Sequence, residues 1–308
     1  MTRHARGDRR MREAARAIFE QCTGAAPRRI VAETGGQTNH VFRIDARDGS
    51  FVLRMSSKEG KIDEFRKERW AVDAARRAEI PAPEILQVEC TDDGVAWMLA
   101  HRTPGWPGTR FGDSHETLGQ LGRLARALHE LELSAFGADF DGREPPPWRE
   151  WAHFLDEEFR VDERLAQLQS HGFLDGTRAR HVAEVVRGLG DGREPRLNHG
   201  DLRLKNVLVD VSGRITALID WEMATAAPAP EWDLAIALHD LSVDQKDAFV
   251  DGYGLADDAF ESLGPALAAL NVLHYAPFVE AAARDDDTEQ LLRYRRRFAR
   301  LYDLYSVA

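Results

Sequence analysis

The 308-residue chain has only two cysteines, Cys22 and Cys90. Two are too few for a disulfide framework, and neither has a Cys or His neighbour at metal-ligand spacing. A zinc-organised fold is therefore excluded, and burial as a small apolar side chain is expected for both. No run approaches the roughly 18 apolar residues of a membrane span, which argues against a membrane partner. The first dozen residues are basic, but an amphipathic pattern follows where a signal peptide would place its apolar core, so a soluble, cytoplasmic protein is expected. There is no internal repeat, no low-complexity tract and no signal for an oligomeric state. A basic excess is lacking as well: the net charge of -11 speaks against a nucleic-acid partner, because phosphate backbones are met with basic faces. The acidity is uneven. Residues 1–103 hold 19 Lys and Arg against 16 Asp and Glu, so the remainder carries -14.

What is present points to two lobes, since 308 residues exceed the usual size of one domain. Met11, Ala15, Ile18, Phe19 and Cys22 recur at helical spacing and end near Gly24. Strands are expected at 29–32, 41–44 and 51–55, separated by turn-formers and suggesting an antiparallel meander. A helix follows over 62–78, closed by Pro81 and Pro83, then strands at 85–89 and 95–100. The Pro- and Gly-rich stretch 103–108 separates strand-dominated from helix-dominated sequence, which places a small lobe over 1–103 and a large one over 104–308. In the large lobe Leu118, Leu121, Leu124, Ala125, Leu128 and Leu131 form an apolar stripe. Two short strands, 207–209 and 216–219, flank Ser212-Gly213.

The chemistry-bearing tract runs from Leu197 through His199, Gly200, Asp201, Arg203 and Asn206 to Val209, followed by Ile219-Asp220-Trp221-Glu222. An Asp, an Asn five residues later, and a second Asp leaving the next strand reproduce the spacing of a kinase catalytic loop and its metal-binding strand end. Phosphoryl transfer needs those types: one carboxylate to accept a hydroxyl proton, an amide oxygen and another carboxylate to hold magnesium. Taken singly, Asp201 is also a loop cap, Asn206 a turn former and Asp220 an ion-pair partner.

The tract resembles the aminoglycoside phosphotransferase family, relatives of choline and homoserine kinases within the protein-kinase-like superfamily. The segments Phe51-Val52-Leu53-Arg54, Ile80-Pro81-Ala82-Pro83, Pro104-Gly105, the run from Gly122 to His129, and Glu231-Trp232-Asp233 sit in that family's order. The surroundings of Arg54 and Pro147-Trp148-Arg149 are most similar to hygromycin B phosphotransferases. The resemblance implies an α+β, bilobal protein-kinase-like fold: a small mixed N-lobe with an antiparallel sheet, a hinge near 101–105, and a large, mainly helical C-lobe. It implies an ATP- or GTP-dependent phosphotransferase with an alcohol acceptor. Asp201 would be the base, Asn206 and Asp220 the Mg2+ ligands, and Arg203 the cation steadying the moving phosphoryl group. His199 and Gly200 would be scaffold, with the His199 ring serving loop carbonyls.

Upstream, Gly35, Gly36, Gln37, Thr38 and Asn39 between two strands look like the loop over the nucleotide phosphates, though a Gly-Gly turn also reads as a plain hairpin. Arg54 stands where most kinases place a phosphate-gripping lysine, with Glu68 as its partner; an arginine stays charged and can bind two oxygens at once. His101 and Thr103 would read the nucleotide base through the backbone, with Ala100 behind it. Asp233 is expected to stabilise a helix start or the loop beneath the active site. Asp156, Glu157 and Glu158 beside Trp148 and Trp151, together with Asp285, Asp286 and Asp287, would favour a cationic small-molecule acceptor such as an aminoglycoside. The same runs also read as solvated helix faces. A kinase of an amino alcohol, amino acid or sugar, and a non-catalytic nucleotide-binding protein of this fold, are the competing readings. A protein kinase is disfavoured, because only nine residues separate Asp220 from Pro230.

Overall fold

A computed structural model describes residues 3–33, 39–110, 114–138, 140–142, 146–239 and 241–305. In chain order the elements are α1 (Arg3–Thr23), β1 (Arg29–Glu33), β2 (His40–Asp45), β3 (Ser50–Ser56), α2 (Lys61–Arg77), β4 (Ile85–Cys90), β5 (Ala96–His101), β6 (Trp106–Pro107) and α3 (His115–His129). There follow α4 (Trp151–His153), running into a π turn (Phe154–Glu158), α5 (Val161–Ser170), α6 (Gly176–Gly188), β7 (Arg196–Asn198), β8 (Val207–Val209), β9 (Ile215–Leu218), β10 (Thr225–Ala227), α7 (Glu231–Ala237), α8 (Val243–Tyr253), α9 (Asp257–Arg284) and α10 (Thr288–Tyr305). The chain divides into two compact units. The first is Met1–Pro107 with Phe140–Glu144 and Val207–Glu222, and the second is Gly108–Asp139, Pro145–Asn206 and Met223–Ala308. Strands β8 and β9, expected in the large lobe, pack with the first unit.

In the first unit a five-stranded antiparallel sheet has the order β1-β2-β3-β5-β4. Strand alternation sends Phe51, Leu53 and Met55 to one face, where they join Ala15, Ile18 and Phe19 of α1 in a core with Phe42, Ile44, Trp97 and Leu99. The Phe19 and Phe51 rings meet edge to face at 5.0 Å. Arg54, one step out of phase, is carried to the opposite face, over Phe65 of α2. A three-stranded sheet, β6-β8-β9, completes the unit; Leu218 N donates to Pro81 O at 2.8 Å. The β8–β9 turn is closed by Asp210, whose Oδ1 accepts from the Ser212 and Arg214 amides.

The second unit is helical apart from β10–β7. Helices α3 and α8 approach backbone to backbone: a Cβ on Gly122 would lie 2.2 Å from Phe249 O, so only glycine permits the contact. Helix α9 is apolar and long enough, by length and composition, to cross a bilayer, against the expectation that no run of the sequence would be. Here it is a core helix that buries Leu267, Leu270, Val272 and Leu273. Two expectations are corrected. Cys90 is exposed and Cys22 only half-buried; position 90 shares its strand face with buried Val88, but the edge strand β4 runs out of the packed region there, leaving Glu89 and Cys90 both exposed. Asp285 and Asp287 serve the α9–α10 turn, Asp287 Oδ1 accepting from Gln290 N at 3.0 Å.

Candidate active site

In the second unit, β7 delivers the loop that carries Asp201. The loop hangs from Asp233 of α7, which is fully buried: Oδ2 accepts from His199 N at 2.8 Å and Oδ1 from Gly200 N at 2.7 Å. His129 of α3 faces Oδ2 through Nε2 at 3.1 Å, and its Nδ1 meets the Tyr253 hydroxyl at 3.0 Å. Burial alone would raise the Asp233 pKa, but the His129 hydrogen bond and the donated His199 amide outweigh it and hold the carboxyl below its usual value. The expected loop-supporting role of Asp233 is thereby given a geometry. Gly200 has φ 79°, and a Cβ there would lie 1.9 Å from Met223 O, so the loop can turn at this point only with glycine. The His199 ring serves the loop through Nδ1, which accepts from the Asp201 amide at 3.3 Å and leaves Nε2 as the ring's donor nitrogen. An amide two residues on is within reach of the ring because the loop doubles back at Gly200.

Asp201 has both carboxylate oxygens engaged. Oδ1 accepts from Arg203 Nε at 2.5 Å, and Oδ2 from Asn206 Nδ2 at 2.8 Å and Lys205 Nζ at 2.8 Å. Burial pushes the carboxyl pKa up, but Lys205, Arg203 and Asn206 together bring it below the ordinary carboxylate value. Asp201 is consequently an anion at neutral pH, oriented by three donors. Asn206 also donates to Asp201 O at 2.9 Å. With its NH2 group spent on Asp201, the amide leaves Oδ1 as its remaining polar atom, a hard oxygen of the kind magnesium takes.

In the first unit, Asp220 follows β9 with φ 66°, and its carboxylate is likewise a hard donor that fits magnesium. Arg54 Nη1 makes a two-oxygen contact with Glu68 at 2.6 and 2.8 Å, while Nη2 reaches Glu222 Oε2 at 3.3 Å. Burial works against the charged guanidinium, yet Glu68, Glu222 and Asp220 hold the Arg54 pKa above its ordinary value. Lys61 adds a second cation, 2.5 Å from Glu64 Oε2 and 3.4 Å from Glu222 Oε2. In β5, Ala100 is buried beside Val52, the His101 amide donates to Glu84 O at 2.8 Å, and among the described residues no acceptor faces the Thr103 amide. A depression of about 490 Å3 is lined by His101, Thr103, Arg76, Glu84 and Thr216 among others, but includes neither Ala100 nor Arg54. Of the residues expected to contact the nucleotide it thus takes in only His101 and Thr103. Gly35, Gly36, Gln37 and Thr38 lie outside the described residues; Asn39 directly precedes β2.

The expected substrate cluster separates. Trp151 is core, 4% exposed, stacked on Phe154 at 5.1 Å and donating Nε1 to Val186 O at 2.8 Å, which leaves no face for a ligand. Helical spacing put it on the inner side of α4. Glu158 clasps a loop, accepting from Trp148 Nε1 at 2.7 Å and Ala138 N at 2.5 Å, and so is committed within the fold along with the Trp148 indole N–H. Asp156 pairs with Arg187, which also holds Asp162; Glu157 is exposed. Lys205, Lys61, Glu222 and His129 were not singled out from the sequence. The i, i+4 spacing of Asp201 and Lys205 was the one available signal.

Residues 30–270 match the model of the phosphotransferase enzyme family. The chain belongs to that family. It is 27% identical over 199 residues to hygromycin-B 4-O-kinase from Escherichia coli; the match covers 61% of this chain and 56% of that relative. The chain thus aligns with little more than half the length of this curated relative. Among solved structures it is similar to aminoglycoside phosphotransferase APH(4)-Ia, at 18% identity and TM-score 0.70, covering 96% of this chain and 99% of that one. A thermostable mutant of the same enzyme, in ternary complex with AMP-PNP and hygromycin B, aligns at TM-score 0.69 and 19% identity over 95% and 99% of the two chains. A fructosamine-3-kinase candidate from Thermobifida fusca aligns at TM-score 0.62 and 24% identity over 92% and 98%. These likenesses identify the fold as the kinase-like α+β fold of aminoglycoside phosphotransferases.

Proposed function

We propose that this protein transfers the γ-phosphate of ATP or GTP to a hydroxyl of a small, cationic acceptor such as an aminoglycoside. The observation that carries the reading is the state of Asp201: an ionised carboxylate held by Arg203, Lys205 and Asn206 on a loop fixed by Asp233. A carboxylate so oriented can accept the acceptor's proton as the hydroxyl oxygen becomes the nucleophile. Its low pKa makes it an orienting acceptor that takes the proton late, as suits a loose phosphoryl-transfer transition state.

Asn206 Oδ1 and the Asp220 carboxylate are the residues that would hold Mg2+. When bound with the nucleotide, the metal supplies charge neutralisation on the phosphates. Arg54, fixed by Glu68, directs a guanidinium to the phosphates. Arg203 and Lys205 stand at the carboxylate, placed to offset charge on the phosphoryl group. Ala100, His101, Thr103 and Asn39, with Gly35, Gly36, Gln37 and Thr38, are the proposed nucleotide contacts. Trp148 and Glu157 remain as acceptor-facing residues. The division into a nucleotide lobe (1–103) and a catalytic lobe (104–308) belongs to the same reading, with the segment 207–222 of the latter packed in the first unit.

The internal pairing of Asp156 and Glu158 removes two of the carboxylates expected to attract a cation. This supports a second reading, a kinase of a metabolite (an amino alcohol, amino acid or sugar), since a sugar or zwitterionic acceptor has less need of an acidic surround. One experiment decides both: incubation with ATP or GTP, Mg2+ and a panel of aminoglycosides, glycated amines and amino alcohols, read by mass spectrometry for an 80 Da gain, the mass of one phosphoryl group. Phosphorylation of an aminoglycoside supports the first reading. Phosphorylation of metabolites alone supports the second, and nucleotide binding with no acceptor modified across the panel overturns both.

A further inference from the structure

Lys61 is an improbable place for a lysine on grounds of stability. It is the first residue of α2, following Gly60 (φ 75°) with no side-chain cap, so its cation sits at the positive end of the helix dipole. It is also only 2% exposed, which strips the ammonium of water. Its partners explain the position. Nζ meets Glu64 Oε2 at 2.5 Å and Glu222 Oε2 at 3.4 Å, and the same Glu222 oxygen takes Arg54 Nη2 at 3.3 Å. Both cations lie against the ring of fully buried Phe65, at 5.2 and 5.3 Å from its centroid.

Glu222 stands two residues after Asp220, whose φ of 66° lies in the left-handed region, which costs a residue with a Cβ some energy, though Asp less than most, and which its neighbours hold in place. Two tethers follow it directly. Trp221 is fully buried and donates Nε1 to Leu218 O at 2.9 Å, and Glu222 is clamped by Lys61 and Arg54. Glu68 already takes two contacts from Arg54, so Lys61 is the cation whose reach to Glu222 does not compete with that pair.

We propose that Lys61 is a positioning residue: by holding Glu222 it ties the start of α2 to the segment 219–223 and keeps Asp220 in its strained backbone conformation. The consequence for magnesium-nucleotide binding rests on the function proposed above; the tether itself does not.

The test uses the full chain without nucleotide first. In Lys61→Met, which keeps length and apolar character but removes the charge, amide hydrogen exchange over 219–223 accelerates by about tenfold while β3 and β5 are unchanged. Lys61→Arg restores protection to within about threefold of wild type. In calorimetric titrations with ADP and MgCl2, Lys61→Met weakens binding by about tenfold. Unchanged exchange over 219–223, or acceleration spread equally over the whole five-stranded sheet, overturns the proposal, because a lysine that only supports the fold would give one of these. Should Lys61→Met fail to fold, Glu222→Gln, at a half-exposed position, breaks the same tether and is expected to release the same segment; no release there also overturns it. Failure of the wild type to bind the nucleotide would count against the proposed function, while the exchange result would still decide the tether.

Discussion

The ammonium of Lys205 stands 2.8 Å from one carboxylate oxygen of Asp201, four residues before it in the chain, across the short turn that ends at Asn206. With Arg203 on the other oxygen, the carboxylate is kept ionised and aimed. Removing the charge of Lys205 removes one of the contributions holding the Asp201 pKa down. Lys205→Met should therefore shift the acid limb of the kcat profile to higher pH, in proportion to the pKa recovered. A pH–rate profile of both proteins checks this.

Asp201→Asn keeps the shape of the side chain and loses its capacity to take a proton. Turnover is expected to fall by about 10²–10⁴-fold with little change in nucleotide affinity. Asp220→Asn should behave differently, weakening magnesium-nucleotide binding itself. Steady-state kinetics alongside titration calorimetry separate the two, and wild-type turnover in Asp201→Asn would refute the assignment of the base.

Gly200→Ala places a methyl group where Met223 O already sits and demands φ 79° of a residue that disfavours it. The loop must shift. We expect a loss of more than about 2 kcal/mol by urea unfolding, with turnover lost even at temperatures where the variant is folded.

His274 packs edge-on to Trp232 at 4.8 Å, and burial together with the nearby charge of Arg164 lowers its pKa to about 3. The unfolded imidazole titrates near 6.5, so between about pH 6.5 and 3 the unfolded chain binds the extra proton and stability falls as pH falls. His274→Phe should flatten that dependence, by up to about 1.4 kcal/mol per pH unit, within the window. Denaturant midpoints at pH 7.5, 6.0 and 5.0, chosen as approximate points across it, make the comparison.

Asp233→Asn takes a buried anion from two amide donors and His129. A cost on the order of 3 kcal/mol is expected. Because the folded pKa of Asp233 is depressed, its contribution is complete above the unfolded carboxylate value near 3.9 and is lost as pH falls through the lower folded value. The variant should show less acid sensitivity in that range by circular dichroism.

Local pattern made much of the fold legible. Alternating apolar residues in β3 and the Val207–Val209 strand came out at their observed positions because strand period and turn chemistry are local properties. The catalytic-loop spacing was local too. What escaped were partners brought together from far apart: Glu222 lies 161 residues from Lys61 and 168 from Arg54, and no spacing rule joins them. Trp148 and Trp151 differ in role only through burial, and Glu158 changes from a free carboxylate to a clasp because the Trp148 indole comes within reach. The exposure of a strand-end residue such as Cys90 is likewise settled by where the packed core stops.

The substitution of arginine for lysine at position 54 also alters how the protein meets electrophiles. A guanidinium that stays protonated is a poor nucleophile, so acylating reagents that tag the phosphate-gripping amine of other kinases have no such amine to find on β3. In the first unit Lys61 is shielded and held by Glu64 while Lys58 is 59% exposed, and in the second unit the side chain of Lys205 is 51% exposed. Covalent labelling should therefore pass over position 61 and reach positions 58 and 205, and an inhibitor that reacts at 205 would address Asp201 by occupying its neighbour.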